Sequence, residues 1–198
     1  MSHHVDYFYA TQSPWTYLGH QRFADMVQAA DATVRVLPVD FGKVFPVSGG
    51  LPLAKRAPQR QAYRLVELKR FAEHLKLPLS LQPRFFPVAT DDAGRLITAV
   101  QARDGAGAAM ALTGAVLKAV WMQERNIADA QVLGELLAEC RLPPERLEQA
   151  RDPETEAAYQ AHTQEAIDAG VFGAPTYVVD GEMFWGQDRL DFVQRKLS

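Results

Sequence analysis

The chain is predicted to be an α/β protein in which the two ends build one four-stranded sheet around a long helical insertion. Three observations predict it. The first forty residues read strand, helix, strand. The last twenty or so read strand, turn, strand, short helix. Between them, from Gln59 to Ala169, apolar residues recur mainly at helical spacing.

Residues 5–10, Val5-Asp6-Tyr7-Phe8-Tyr9-Ala10, are an aromatic run of strand character. Pro14 opens a helix over about 14–30, with Leu18, Phe23, Met26, Val27 and Ala30 on its apolar face. Residues 33–40 alternate in part and supply a second strand. A helix of that length between two strands is a crossover, so the pair is expected to be parallel.

Phe41 to Pro58 contains Gly42, Pro46, Gly49, Gly50, Pro52 and Pro58, and is read as a long loop that lines a pocket. A helix follows, with Leu65, Leu68, Ala72 and Leu75 in register and Pro78 beyond its end. Lys55, Arg56, Arg60, Arg64, Lys69 and Arg70 surround it, as a solvated face or as an attractor for an anionic substrate. Residues 79–87 are a proline-bounded connector. Leu112, Ala115, Val116, Ala119 and Val120 mark another helix, and residues 130–139 a shorter one capped by Asp129. Asp152-Pro153-Glu154 starts a helix expected to stop at Gly170. Thr176-Tyr177-Val178-Val179, the turn Asp180-Gly181 and Met183-Phe184-Trp185 form a hairpin, and residues 190–197 a last helix. The expected division is residues 1–44 and 163–198 in the sheet domain and 45–162 in the helical insertion.

Composition narrows the function. The 198 residues are 47% hydrophobic and 23% charged with a net charge of −3, a globular make-up without the basic footprint of a nucleic-acid binder. No apolar run approaches the roughly 18 residues of a membrane span, and no signal-peptide pattern opens the chain, so a cytoplasmic location is expected. Cys140 is the sole cysteine, which rules out an intrachain disulfide. It continues the stripe of Leu133, Leu136 and Leu137 and is read as a packed, inert thiol. His20, His74 and His162 lack ligand spacing and are read as surface or helix residues, with no metal centre.

Ser13 is the residue with most chemical promise. A hydroxyl just before Pro14 at a helix start caps the helix, and beside unpaired N–H donors it can also hold an anion such as a thiolate. The Ser13-Pro14-Trp15-Thr16-Tyr17 elbow, Gly170-Val171-Phe172-Gly173-Ala174-Pro175-Thr176 and Phe184-Trp185-Gly186-Gln187-Asp188-Arg189-Leu190 together resemble 2-hydroxychromene-2-carboxylate isomerases. Those enzymes belong with kappa-class glutathione transferases in the DsbA-like group.

The resemblance implies a thioredoxin-like, four-stranded sheet with a large all-helical insertion, a homodimer and glutathione as cofactor. It implies that the Ser13 hydroxyl holds the glutathione sulfur as thiolate, where redox relatives keep a cysteine. Pro175 then matches a cis-proline loop that frees the Ala174 backbone to pair with glutathione, and Gln187 and Asp188 match residues holding its γ-glutamyl end. In the family, sulfur adds to the conjugated carbon of an aromatic substrate, a locked double bond becomes rotatable, and elimination returns the isomer. This chain departs from the family loop of type Phe-Lys-Ala-Thr-Gly-Asn: Pro46 and Gly50 stand where the Lys and Asn would be. Lys43, Lys55 and Arg56 are the candidate substitutes on the substrate side. Two other functions fit the same elbow: a kappa-like transferase with another electrophile, or a thioredoxin-like module that binds glutathione or a peptide without turnover.

Overall fold

A computed structural model describes residues 3–198. Its sheet has four strands in the order β2-β1-β3-β4. Strand β1 (His4–Tyr9) runs into helix α1 (Pro14–Ala29), which crosses over to β2 (Thr33–Pro38), parallel to β1. The chain returns to the sheet as β3 (Thr176–Val179), antiparallel to β1, and β4 (Glu182–Trp185), antiparallel to β3. Asp180 and Gly181 both take positive φ, 49° and 85°, as a tight hairpin of this hand requires. Between β2 and β3 lie α2 (Phe41–Ser48), α3 (Pro58–Leu75), α4 (Asp91–Asp104), α5 (Ala106–Trp121), α6 (Ala130–Glu139), the single turn α7 (Arg146–Gln149) and α8 (Pro153–Asp168). Helix α9 (Leu190–Lys196) closes the chain.

Strand β1 is buried on both faces because its side chains alternate between two apolar clusters. Val5, Tyr7 and Tyr9 join Phe23, Leu96, Ile97, Leu112, Val116 and Trp121 in the larger one, so sheet and inserted helices share a core. Phe8 points the other way, to Leu37, Phe41, Val44, Ala166 and Val171. Aromatic contacts reinforce the first cluster: Tyr7 stacks on Tyr177 with ring centroids 5.4 Å apart. The Tyr9 hydroxyl meets Thr113 Oγ1 at 2.6 Å, which satisfies both buried groups. Among the described residues, no helix is long and apolar enough to cross a membrane.

One expectation needs correction. Residues 41–48 are helix α2 rather than loop. Asp40 caps it by accepting from the Gly42 N–H at 2.8 Å. Burying Phe41 and Val44 against Phe8 and Leu37 outweighs the hydrogen bond lost at Pro46, and Gly49 ends the helix at φ 75°. Residues 49–57 stay irregular apart from the short turn Leu53–Lys55. His20 and His162 sit on helices, as expected, and both are buried. Cys140 lies half-buried just after α6, and burial followed by the neighbouring Glu139 charge pushes its thiol pKa up, away from reactivity.

Candidate active site

Strand directions bring three loops to one rim of the sheet. Phe8 pairs with Thr176 and Thr176 with Trp185, so the exit of β1, the entry of β3 and the exit of β4 lie side by side. The Ser13 elbow, the Pro175 loop and the Gly186–Arg189 segment are the chain at those three points. Nearness in space thus follows from the strand register rather than from nearness in sequence.

At the elbow, the Ser13 N–H closes a turn on the Ala10 carbonyl at 2.9 Å, and Pro14 occupies the first helical position. Ser13 Oγ accepts from the Thr16 N–H at 3.2 Å, which makes it the N-cap of α1. A cap uses the hydroxyl only as an acceptor, so its O–H proton remains free to donate. That proton stands at the positive end of a four-turn helix, where a negative partner is favoured. The elbow is tethered on its other flank as well. Gln12 Oε1 accepts from the Val88 N–H at 2.9 Å, and the Gln12 carbonyl accepts from the Trp121 indole at 3.2 Å.

The Ala174–Pro175 peptide is cis. Its loop is braced by the Thr176 hydroxyl, which donates to the Gly173 carbonyl at 2.7 Å, and by the Gly186 N–H, which donates to the Pro175 carbonyl at 2.9 Å. A Cβ at Gly173 would lie 2.3 Å from Trp185 Nε1, so a side chain there would push the indole aside. Ala174's own N–H and carbonyl take part in no hydrogen bond among the described residues, the state of an open strand edge.

Beyond β4, Gln187 and Asp188 diverge. Gln187 is almost fully buried, and its Oε1 and its carbonyl both accept from Arg22 Nη2 at 2.7 Å. Its Nε2 is buried without a partner. Asp188 is exposed and accepts from Arg189 at 2.8 Å through Oδ2. Gly186 must be glycine here, with φ 102° and room for no Cβ beside Asp188 Oδ1.

The three substrate-side candidates lie on two elements, Lys43 on α2 and Lys55 and Arg56 in and just after the turn Leu53–Lys55. Lys43 is exposed on α2; the Glu156 carboxyl on α8 is lowered first by Arg95 and Gln160 and only last by the Lys43 charge. Lys55 is exposed in its short turn. Arg56 is partly buried and donates from Nε to the Leu51 carbonyl at 2.8 Å. A Cβ at Gly50 would meet the Phe45 ring at 2.3 Å, so no side chain fits there unless the ring moves.

Arg22, Gln12 and Trp121 bear on this rim without any local pattern to announce them. Each acts through a partner far away in the chain. Arg22 sits on a helix that also carries His20, Gln21, Asp25 and Gln28, so nothing local sets it apart.

A family model of the DSBA-like thioredoxin domain matches residues 4–198. A 2-hydroxychromene-2-carboxylate isomerase of Pseudomonas putida is 30% identical over 98% of this chain and 94% of its own length. Another of that name, from Pseudomonas sp. strain C18, is 31% identical over 98% and 90%. A solved 2-hydroxychromene-2-carboxylate isomerase superposes with a TM-score of 0.83 at 24% identity, over 97% of this chain and 93% of that one. With serine at the elbow and a cis-proline loop beside it, the chain belongs to the DSBA-like thioredoxin family, within its 2-hydroxychromene-2-carboxylate isomerase branch.

Proposed function

We propose that this protein is a glutathione-dependent isomerase of 2-hydroxychromene-2-carboxylate or a closely related intermediate of aromatic catabolism. The observation that carries the reading is the free O–H proton of Ser13 at the α1 N-terminus, on the same rim of the sheet as the unpaired backbone of Ala174. Curated relatives of that name extend over nearly the whole chain and support the substrate class.

The residues present fit glutathione. Ser13 would donate to its sulfur, Ala174 would pair with its cysteinyl main chain as an added strand does, and Asp188 Oδ1 would take its ammonium. Gln187 would contribute from beneath, since its side chain is held by Arg22 and retains an unpaired Nε2. When bound, glutathione supplies a soft nucleophile whose reversible addition releases a double bond for rotation. Ser13 would favour the ionised sulfur at neutral pH: a hydrogen bond to a charged group contributes about 1.5–3 kcal/mol, and the helix end about 0.3–1 more. Pro175 and the Gly186–Pro175 bond hold the opposite wall still.

Turnover of 2-hydroxychromene-2-carboxylate with and without glutathione tests the reading, alongside the ultraviolet thiolate absorbance as glutathione is titrated in. Glutathione-dependent turnover and a thiolate band at neutral pH are expected. Binding with neither would leave a passive module, and turnover of other electrophiles alone would leave a transferase.

A further inference from the structure

We propose that Arg64 recognises the substrate's carboxylate, the role left open by Pro46 and Gly50; this rests on the isomerase reading above. Arg64 lies on α3, with its guanidinium carbon 5.2 Å from the Phe86 ring centre and 5.8 Å from that of Trp121. The same Trp121 donates to the Gln12 carbonyl, so Arg64 stands one indole away from the residue that precedes Ser13. Helix α3 also touches α1 directly through the edge-to-face pair Trp15 and Phe71.

Packing on aromatic faces occupies the plane of a guanidinium and leaves its N–H edge free. None of the five N–H donors of Arg64 has a hydrogen-bond or ion-pair partner among the described residues. Other partly buried arginines differ: Arg95 binds Asp92 and Glu156, and Arg125 binds Glu135 and Glu139. Arg64 has instead a second cation for company. Burial, then the charge of Arg56, pull its pKa down to about 10. Arg56 is itself pulled down by burial and then by Arg60. A half-buried, unpaired guanidinium over an aromatic wall, repelled by a second cation nearby, forms a site that an anion on a flat ring relieves on both counts: its carboxylate meets the Arg64 fork and its ring meets the aromatic surface. Arg56 adds long-range attraction, and Arg64 the bidentate contact.

The test compares the full-length protein with Arg64→Met, which keeps the apolar stem, and Arg64→Lys, which keeps the charge but not the fork. Four probes are used: 2-hydroxychromene-2-carboxylate, its ring-opened isomer trans-2-hydroxybenzylidenepyruvate, the neutral cis enone 4-(2-hydroxyphenyl)but-3-en-2-one, and glutathione. Binding of trans-2-hydroxybenzylidenepyruvate is also followed by tryptophan fluorescence without glutathione. In Arg64→Met, KM for the carboxylate and Kd for the pyruvate are expected to rise about tenfold or more. KM for the neutral enone and Kd for glutathione should stay within about twofold, with Arg64→Lys in between on the carboxylate. Equal losses on charged and neutral probes, no loss on either, or a loss confined to glutathione would overturn the assignment. Arg64-dependent pyruvate binding in a protein without glutathione-dependent turnover would uphold the anion site and sink only the isomerase reading.

Discussion

Trp121 donates its indole N–H to the carbonyl of Gln12 at 3.2 Å, so the last turn of α5 holds the residue that precedes Ser13. The elbow is therefore positioned by the inserted helices as well as by β1. Trp121→Phe keeps most of the ring and removes the donor, leaving the Gln12 carbonyl short of a partner. A loss of about 1–3 kcal/mol in denaturant unfolding is expected. Glutathione should bind several-fold more weakly by titration, because the Ser13 hydroxyl is no longer held in place.

Gly19 sets how closely α1 approaches the Gln187–Arg189 turn. A Cβ there would lie 2.7 Å from Gln187 Cβ and 3.1 Å from the Tyr177 hydroxyl. Gly19→Ala should destabilise by about 1–3 kcal/mol through overpacking and weaken glutathione binding as the turn is pushed outward. Gly107→Ala is the control, on a helix with nothing within 4 Å of the added carbon. It should be neutral or raise stability by up to about 1 kcal/mol.

The buried histidines give the fold an acid limit. His20 is held neutral between the Tyr7 hydroxyl and the Met110 carbonyl, and burial first, with Lys118 contributing, lowers its pKa to about 4. His162 is lowered to about 4 by burial and then by Arg35. The unfolded chain binds these protons near pH 6.5, so their contribution is complete above that value and is lost as pH falls toward about 4. Each shift corresponds to something on the order of 3 kcal/mol. Urea unfolding at about pH 7.5 and about pH 5 should show the decline. His20→Gln should flatten it, and an unchanged slope in that variant would assign the decline to other groups.

Much of the sheet was legible because its signals are local. Asp180-Gly181 fits only a turn with both φ positive, and the runs on either side are rich in strand formers. The parallel β1–β2 pair followed from the length of the intervening helix. Helix α2 was not legible: Gly42 and Pro46 speak for a loop, and only the apolar cluster around Phe8 decides for Phe41 and Val44. Burial of His20 was hidden for a similar reason, since its partners Tyr7 and Met110 come from a strand and from another helix. On the rim, Ser13 could be read as a cap from its neighbours, whereas the cis state of Ala174–Pro175 came from family likeness and has no local signature. Arg64 stood in a row of basic residues that composition alone cannot rank. What sets it apart is an aromatic wall from two distant segments and the lack of an acid.

The sharpest test of the account is the thiolate absorbance of bound glutathione in Ser13→Ala, measured with turnover and melting on the same samples. Loss of the cap should cost about 1 kcal/mol of stability. Loss of the hydrogen bond to sulfur should remove the thiolate band at neutral pH and cut glutathione-dependent turnover about 10–100-fold. A variant that melts earlier yet keeps both the band and the turnover would show that the Ser13 hydroxyl serves the helix alone.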